Sequence, residues 1–265
     1  MYKLGVIGNP IEHSLSPVIF KLFASQFNIN LNYEKILVND DEHFIQTVNN
    51  FFAHNGLALN ITSPFKEEAC LIAQQHTSRA SFCHASNLLY LNNNKELTAD
   101  TTDGIGLVKD LEVNNNISLN NKKILIIGSG YVLDSILLDF IVKNPMSISI
   151  LARNSERVNF LCDKFGVREF DPTNTYDIII NSSPNTNDNQ LFSKVQKLEN
   201  TLVCYDLAYS PNVTLFLSTM QQLSSHAILK NGLGMLVEQA AVAFVKLFNQ
   251  TPNTSIVLNQ LKAKV

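Results

Sequence analysis

The sequence predicts an α/β protein of two domains, each a sheet covered by helices. Three observations carry this expectation. Short apolar runs rich in β-branched residues alternate with stretches of helical period, the pattern of strands joined by crossover helices in mostly parallel sheets. At residues 122–130 one such run stops in glycines and passes into a helical stretch, the opening of a dinucleotide-binding unit. A chain of 265 residues, 45% hydrophobic and 16% charged, has the length and composition for more than one core.

The elements follow in order. Residues 4–7 form a first strand, and Ser16 before Pro17 reads as an N-cap with proline at the first helical position. A strand at 31–38 leads to a helix whose start is loaded with acid by Asp40, Asp41 and Glu42, where the helix dipole is positive. Strands at 56–61 and 88–91 come next, the second running into a hairpin turn at Asn92, Asn93 and Asn94. A helix begun near Asp103 ends in asparagine loops at 114–116 and 120–121. Beyond the glycine turn the pattern gives a helix over 134–142 and strands at 147–151, 176–181 and 201–206. The last helical pattern, 232–244, is apolar on most sides, as in a helix packed between two bodies.

Composition narrows the function. A net charge of −3 supplies no basic field for a polyanion, so nucleic acid is not an expected partner. No stretch reaches the roughly 18 consecutive apolar residues of a membrane span, and the apolar run at the N-terminus is too short for a secretory signal. Cys70, Cys83, Cys162 and Cys204 are far apart, and the six histidines lack ligand spacing. Reduced buried thiols, a cytoplasmic location, and neither metal nor membrane are expected.

The chemistry-bearing segments are few. Asn60-Ile61-Thr62-Ser63-Pro64-Phe65-Lys66 ends an apolar strand with small polar side chains, a turn and one lysine. A lysine after a strand end is ordinarily a solvated charge. Two companion segments set this one apart, Ser14-Leu15-Ser16-Pro17 and Thr102-Asp103-Gly104, although N-capping alone would account for Ser16 and for Asp103. In the second half, Gly128-Ser129-Gly130 lies between a strand and a helix, so backbone amides can face a pyrophosphate. The strand after it ends at Ala152-Arg153-Asn154-Ser155-Glu156-Arg157, where an NAD-binding domain usually has an acid for the ribose. Arginine there favours a 2'-phosphate, hence NADP, although two exposed arginines at a helix start are also common. The polar turn from Asn181 through Ser182, Ser183 and Pro184 sits at a strand's carboxyl end, where open α/β sheets bind ligands. Gln239 is a polar amide among Ala, Val and Leu, placed either on an exposed stripe with Glu238 or against a ligand.

Taken together, residues 8–17, 60–66, 85–87, 102–106 and 232–241 resemble shikimate dehydrogenase, in the family's order and across nearly the whole chain. The resemblance implies a substrate-binding α/β domain of residues 1–101 plus 233–265. It further implies a Rossmann-type NADP-binding domain of 102–232, with an interdomain cleft. It implies reversible reduction of 3-dehydroshikimate by NADP(H), with Lys66 and Asp103 as the proton-transfer pair. Substrate contacts carry over onto Ser14, Ser16, Thr62, Lys66, Asn87, Asp103, Tyr209 and Gln239. Cofactor contacts carry over onto Gly128, Ser129, Gly130, Tyr131, Val132, Ala152, Arg153, Asn154 and Arg157, and onto Ser183, Leu207, Gly232 and Met235. Such an enzyme would act as a monomer or homodimer.

The chain departs from the family pattern mainly on the cofactor side. Tyr131 and Val132 stand where relatives usually have Gly-Ala, Ala152 and Asn154 flank Arg153 where Asn and Thr are usual, and Asn185-Thr186 replaces a Gly-Met pair. On the substrate side, Thr101 stands where asparagine is usual. Two other readings therefore fit the same residues. One is a shikimate-pocket binding protein with impaired cofactor binding, the other an NAD-dependent quinate/shikimate dehydrogenase.

Overall fold

The computed structural model describes residues 1–183, 189–196, 198–210 and 212–263. They form two compact units, one of Met1–Leu107 with the segment from Leu236 onward, the other Val108–Met235.

The first unit runs β1 (Tyr2–Gly8), α1 (Ser16–Ser25), β2 (Leu31–Leu37), α2 (Asp41–Ala53) and β3 (Gly56–Ile61). It continues through α3 (Lys66–Leu71), β4 (Gln75–His76), α4 (Ser78–Cys83), β5 (Leu88–Leu91), β6 (Leu97–Asp100) and α5 (Asp103–Lys109). After a turn of π-helix at Asp110–Asn114 come β7 (Lys123–Ile127), α6 (Val132–Ile141), β8 (Ser147–Leu151), α7 (Ser155–Phe165) and β9 (Arg168–Glu169). Then follow β10 (Ile178–Asn181), α8 (Asn189–Phe192), β11 (Val203–Asp206), α9 (Leu215–Leu223) and β12 (Ile228–Asn231). The helices α10 (Leu233–Phe248) and α11 (Thr254–Lys262) end the chain.

The first sheet has the order β2-β1-β3-β5-β6-β4. β1 is parallel to β2 and β3, but β5 is antiparallel to both β3 and β6, so this sheet is mixed where the sequence pattern predicts mostly parallel strands. The reason is local. Asn92 Oδ1 accepts from the backbone N–H groups of Asn94 and Glu96, closing the expected hairpin between β5 and β6. The second sheet, β12-β11-β10-β7-β8-β9, is wholly parallel. Its order, counted from its own first strand, is the doubly wound order of a Rossmann-type domain.

Each unit buries its own core. One cluster in the first unit gathers Ile7, Phe44, Leu59, Phe65 and Leu89. On the other side Phe244 of α10 meets Phe20 and Phe23 of α1, with ring centroids 6.2 and 5.6 Å apart. In the second unit Leu125, Ile179, Cys204, Phe216 and Met220 form the cluster, and burial pushes the Cys204 thiol up to about 12, which leaves it inert.

Two helix starts differ in kind. Asp40, expected in the acidic first turn of α2, stands just before it as the N-cap, its carboxylate accepting from the His43 N–H, and Asp41 and Glu42 supply the acid of that turn. Ser16 is not the cap of α1. Leu15 holds that position without a side-chain bond, and the Ser16 N–H donates to Ser14 Oγ at 3.4 Å. Among the described residues no helix is long and apolar enough to cross a membrane, and no group of three or more His, Cys, Asp or Glu could hold a metal ion.

Candidate active site

Strand direction gathers the first unit's polar residues at one sheet edge. β1 and β3 are parallel, so the segments after Gly8 and Ile61 leave from the same end. β5 runs against β3 with Leu88 opposite Asn60, and β6 runs against β5 with Asp100 opposite Leu88. The residue before β5 and those after β6 therefore arrive at that end too. These are Asn87 on one side and Thr102 and Asp103 on the other.

There they form one network. Lys66 Nζ, at the first position of α3, donates to Asp103 Oδ2 at 2.6 Å, with the two side chains 18% and 10% exposed. Asp103 opens α5, and its other oxygen accepts from Asn87 Nδ2 at 2.8 Å. The same amide nitrogen lies 3.1 Å from Gln239 Oε1. The Thr102 N–H donates to Asn87 Oδ1 at 2.9 Å, and because a backbone N–H can only donate, this fixes which way the Asn87 amide faces. The Thr102 hydroxyl lies 3.3 Å from Gln239 Oε1, while Gln239 Nε2 donates to the Leu236 carbonyl. Gln239 is thus buried against this network, not part of an exposed stripe. The carboxylate of Asp103 is committed to Lys66 and Asn87, so its part here goes beyond helix capping.

A second polar cluster involves Ser16. The Tyr33 hydroxyl donates to Asn60 Oδ1 at 2.7 Å and also bonds Ser16, and burial pushes that hydroxyl far above its ordinary range. Asn60 Nδ2 is the single buried side-chain polar atom without a partner among the described residues. Such an orphaned donor costs about 1–3 kcal/mol, which an acceptor on a ligand would offset. Ser14 is half-buried beside Ser16, the Thr62 N–H donates to the Ile7 carbonyl of β1, and the Asn9 N–H donates to the Ser63 carbonyl, tying the two strand-end loops together.

In the second unit every parallel strand delivers its carboxyl end to one edge. Gly128 follows β7 with φ +115°, and a Cβ there would lie 2.5 Å from Ser182 Oγ, so only glycine fits. Gly130 has open space where a side chain would be, and α6 begins at Val132 with Tyr131 as an N-cap that makes no side-chain cap bond. A helix start without a side-chain cap, over an open glycine turn, suits a pyrophosphate. Tyr131 is 41% exposed, and no atom beyond the neighbouring residues lies within 4 Å of a Cβ placed on Gly130.

Ala152 and Arg153 follow β8, and Arg153 is exposed. Asn154 caps α7, its Oδ1 accepting from the Arg157 N–H at 3.0 Å. Ser183 donates through its hydroxyl to Asn181 Oδ1 at 2.5 Å, while Pro184, Asn185 and Thr186 lie outside the described residues. The Leu207 N–H donates to the Asn181 carbonyl, and a Cβ at Gly232 would stand 1.9 Å from the Leu207 oxygen. The Met235 N–H donates to the Tyr205 hydroxyl, which donates to Asp110 Oδ2 at 2.7 Å. Tyr209 lies half-buried in the segment after β11.

Arg157, expected to approach a 2'-phosphate, is engaged elsewhere. Its Nη2 pairs with Asp134 Oδ2, and its Nε donates to the Ser129 carbonyl at 3.4 Å. Its guanidinium lies 4.9 Å from the Phe160 ring centroid and 5.4 Å from that of Tyr131. Asp134 is 1% exposed and also takes Lys164 at 3.0 Å. Sequence reasoning missed Tyr33 and Asp134, and it named the segment of Thr102 without giving that residue a role of its own. Asp134 had a signal, an acid among the apolar residues Leu133, Ile136 and Leu137 that needs cations if it faces inward.

Comparison with known proteins agrees along the whole chain. Residues 6–89 match the family described as shikimate dehydrogenase substrate binding domain, 111–229 that described as shikimate / quinate 5-dehydrogenase, and 232–262 the shikimate 5'-dehydrogenase C-terminal domain. A shikimate dehydrogenase (NADP(+)) of Legionella pneumophila (strain Lens) is 39% identical over 98% of both chains. The protein of that name from Colwellia psychrerythraea is 36% identical over 98% of this chain and 96% of its own. The crystal structure of an Ael1 enzyme from Pseudomonas putida superposes with a TM-score of 0.87 at 32% identity, covering 98% of both chains.

Proposed function

Because the chain belongs to the shikimate dehydrogenase family, we propose that it catalyses the reversible, NADP-dependent reduction of 3-dehydroshikimate to shikimate, on the route to chorismate and the aromatic amino acids. The observation that carries the chemistry is Lys66 Nζ at 2.6 Å from Asp103 Oδ2, beside a buried network of amide and hydroxyl groups. Shikimate has one carboxylate and three hydroxyls, and a pocket for it wants neutral donors and acceptors with few fixed charges. Ser14 and Ser16 serve the carboxylate, and the unpartnered Asn60 amide supports a ligand acceptor nearby. Thr62, Lys66, Asn87, Asp103 and Gln239 serve the ring oxygens.

NADPH, when bound, supplies the hydride. The Lys66 ammonium meets the charge that develops on the keto oxygen and donates its proton there. Asp103 orients that ammonium and balances its charge, while Asn87 holds the carboxylate in place. In the oxidative direction Lys66 takes the proton back. The first unit binds the substrate in this reading, and the second holds the cofactor. Residues Gly128 through Val132 would hold the pyrophosphate, with Ala152, Arg153 and Asn154 at the adenosine end and Ser183, Leu207, Gly232 and Met235 toward the nicotinamide. The start of α6 without a side-chain cap and the open space at Gly130 support that fit.

The test is turnover of shikimate and of quinate, each with NADP+ and with NAD+, followed by nicotinamide absorbance. Shikimate with NADP+ should be the best pair. Shikimate binding without turnover, or a best pair of quinate with NAD+, would overturn the proposal.

A further inference from the structure

Resting on the reading of the second unit as the cofactor-binding one, we infer that Arg157 is a positioning residue for the glycine turn and not a ligand of the cofactor's 2'-phosphate. The guanidinium joins three segments. Nη2 holds the buried Asp134 carboxylate in the first turn of α6, Nε donates to the Ser129 carbonyl inside the turn, and the guanidinium carbon lies over the Phe160 ring of α7. Tyr131, the residue at the turn's exit, has its ring within 5.4 Å of the same group.

Moving Arg157 to a phosphate would break all of these contacts. It would also strip Asp134, 1% exposed, of a cation it pairs with, Lys164 being another. A planar, forked cation suits the observed task, because one guanidinium satisfies a carboxylate, a carbonyl and two aromatic faces together. Tyr131 is bulky where close backbone approach is needed, and the arginine keeps its ring beside α7 and out of the turn's open space. Asp134 acts through Arg157 and is a positioning residue in the same sense.

Affinities of NADPH and NADH, measured by equilibrium fluorescence titration of the full chain, separate the two roles. A positioning role acts on the part common to both cofactors. Arg157→Leu should then weaken both by about the same factor, on the order of tenfold, leaving their ratio unchanged. Asp134→Asn should do likewise, and the double variant should be no weaker than the weaker single one. Shikimate affinity in the same variants should stay at the wild-type value, which a general loss of folding would not allow.

A phosphate ligand behaves otherwise. Arg157→Leu would then weaken NADPH alone, and Asp134→Asn would keep or tighten NADPH by releasing the arginine. Either result overturns the inference. If Arg157→Leu does not fold, Asp134→Asn decides by itself. Wild-type protein that binds neither cofactor would sink the parent reading and this one with it, whereas selective loss of NADPH in the variants would sink this one alone.

Discussion

Asn87 donates to Asp103 at 2.8 Å and lies 3.1 Å from Gln239, a residue 152 positions further along the chain. One amide thus fixes both the carboxylate beside Lys66 and the polar residue of α10. An aspartate at position 87 would replace a donor with a second carboxylate against Asp103. Asn87→Asp should destabilise the protein by about 3 kcal/mol and abolish turnover, as read by urea unfolding and steady-state kinetics. Wild-type stability in that variant would contradict the network's role.

Lys66 carries the proton in the proposed mechanism. Lys66→Ala should lower kcat on the order of a hundredfold or more, with shikimate affinity from calorimetry changing far less. An equal loss in both would make Lys66 a binding group only.

Asp206 ends β11 fully buried, accepting from the Asn181 amide, the Thr214 hydroxyl and the Ala208 N–H. Burial outweighs these donors and raises its carboxyl above the usual range. A raised folded-state value favours the protonated form in the native protein. Its stabilising contribution is therefore fully present below the ordinary carboxylate range and is lost as pH rises through the raised value. The stability of wild type relative to Asp206→Asn should be greatest in acid and fall toward neutrality. Urea midpoints of both proteins across that range test the sign, and a difference that grows with pH would refute it.

Tyr205 is fully buried, its hydroxyl donating to Asp110 and accepting from the Met235 N–H. Tyr205→Phe leaves a buried acceptor and a buried donor unmatched and should cost about 2 kcal/mol of stability. Chemical denaturation at neutral pH reads this directly.

Gly232 tolerates no side chain, because a Cβ would meet the Leu207 carbonyl at 1.9 Å. Gly232→Ala should lose about 2 kcal/mol or more and weaken cofactor binding through displacement of the Leu207 backbone. A variant as stable as wild type would show that the turn yields easily.

Much of this molecule was legible before its structure. The Gly56–Ile61 and Leu88–Leu91 strands were bounded to the residue, since their apolar runs end in turn chemistry. Short strands such as Gln75–His76 and Arg168–Glu169 left no trace, because two residues carry no periodicity. Ser16 misled because Ser-Pro is a strong start signal, yet Leu15 takes the cap and Ser16 turns inward to Tyr33. Arg157 had the right charge at a suitable spacing, but sequence could not show that Asp134, in the first turn of another helix, stands close enough to claim it. Pairing between distant segments is set by packing, and a linear pattern does not report it.

The antiparallel hairpin of β5 and β6 works as a ruler for the chemistry. Asn87 enters it and Asp103 follows its exit, so the pairing of Leu88 with Asp100 sets the spacing of two hydrogen-bonded residues of the polar network that the turn at Asn92 never touches. A slip of one residue in that pairing would shift the Asp103 backbone by about 3.3 Å and reverse the side each β6 residue faces. An insertion at the distant turn that left the pairing intact would be silent, while one that shifted it would disable the enzyme without altering a single functional residue.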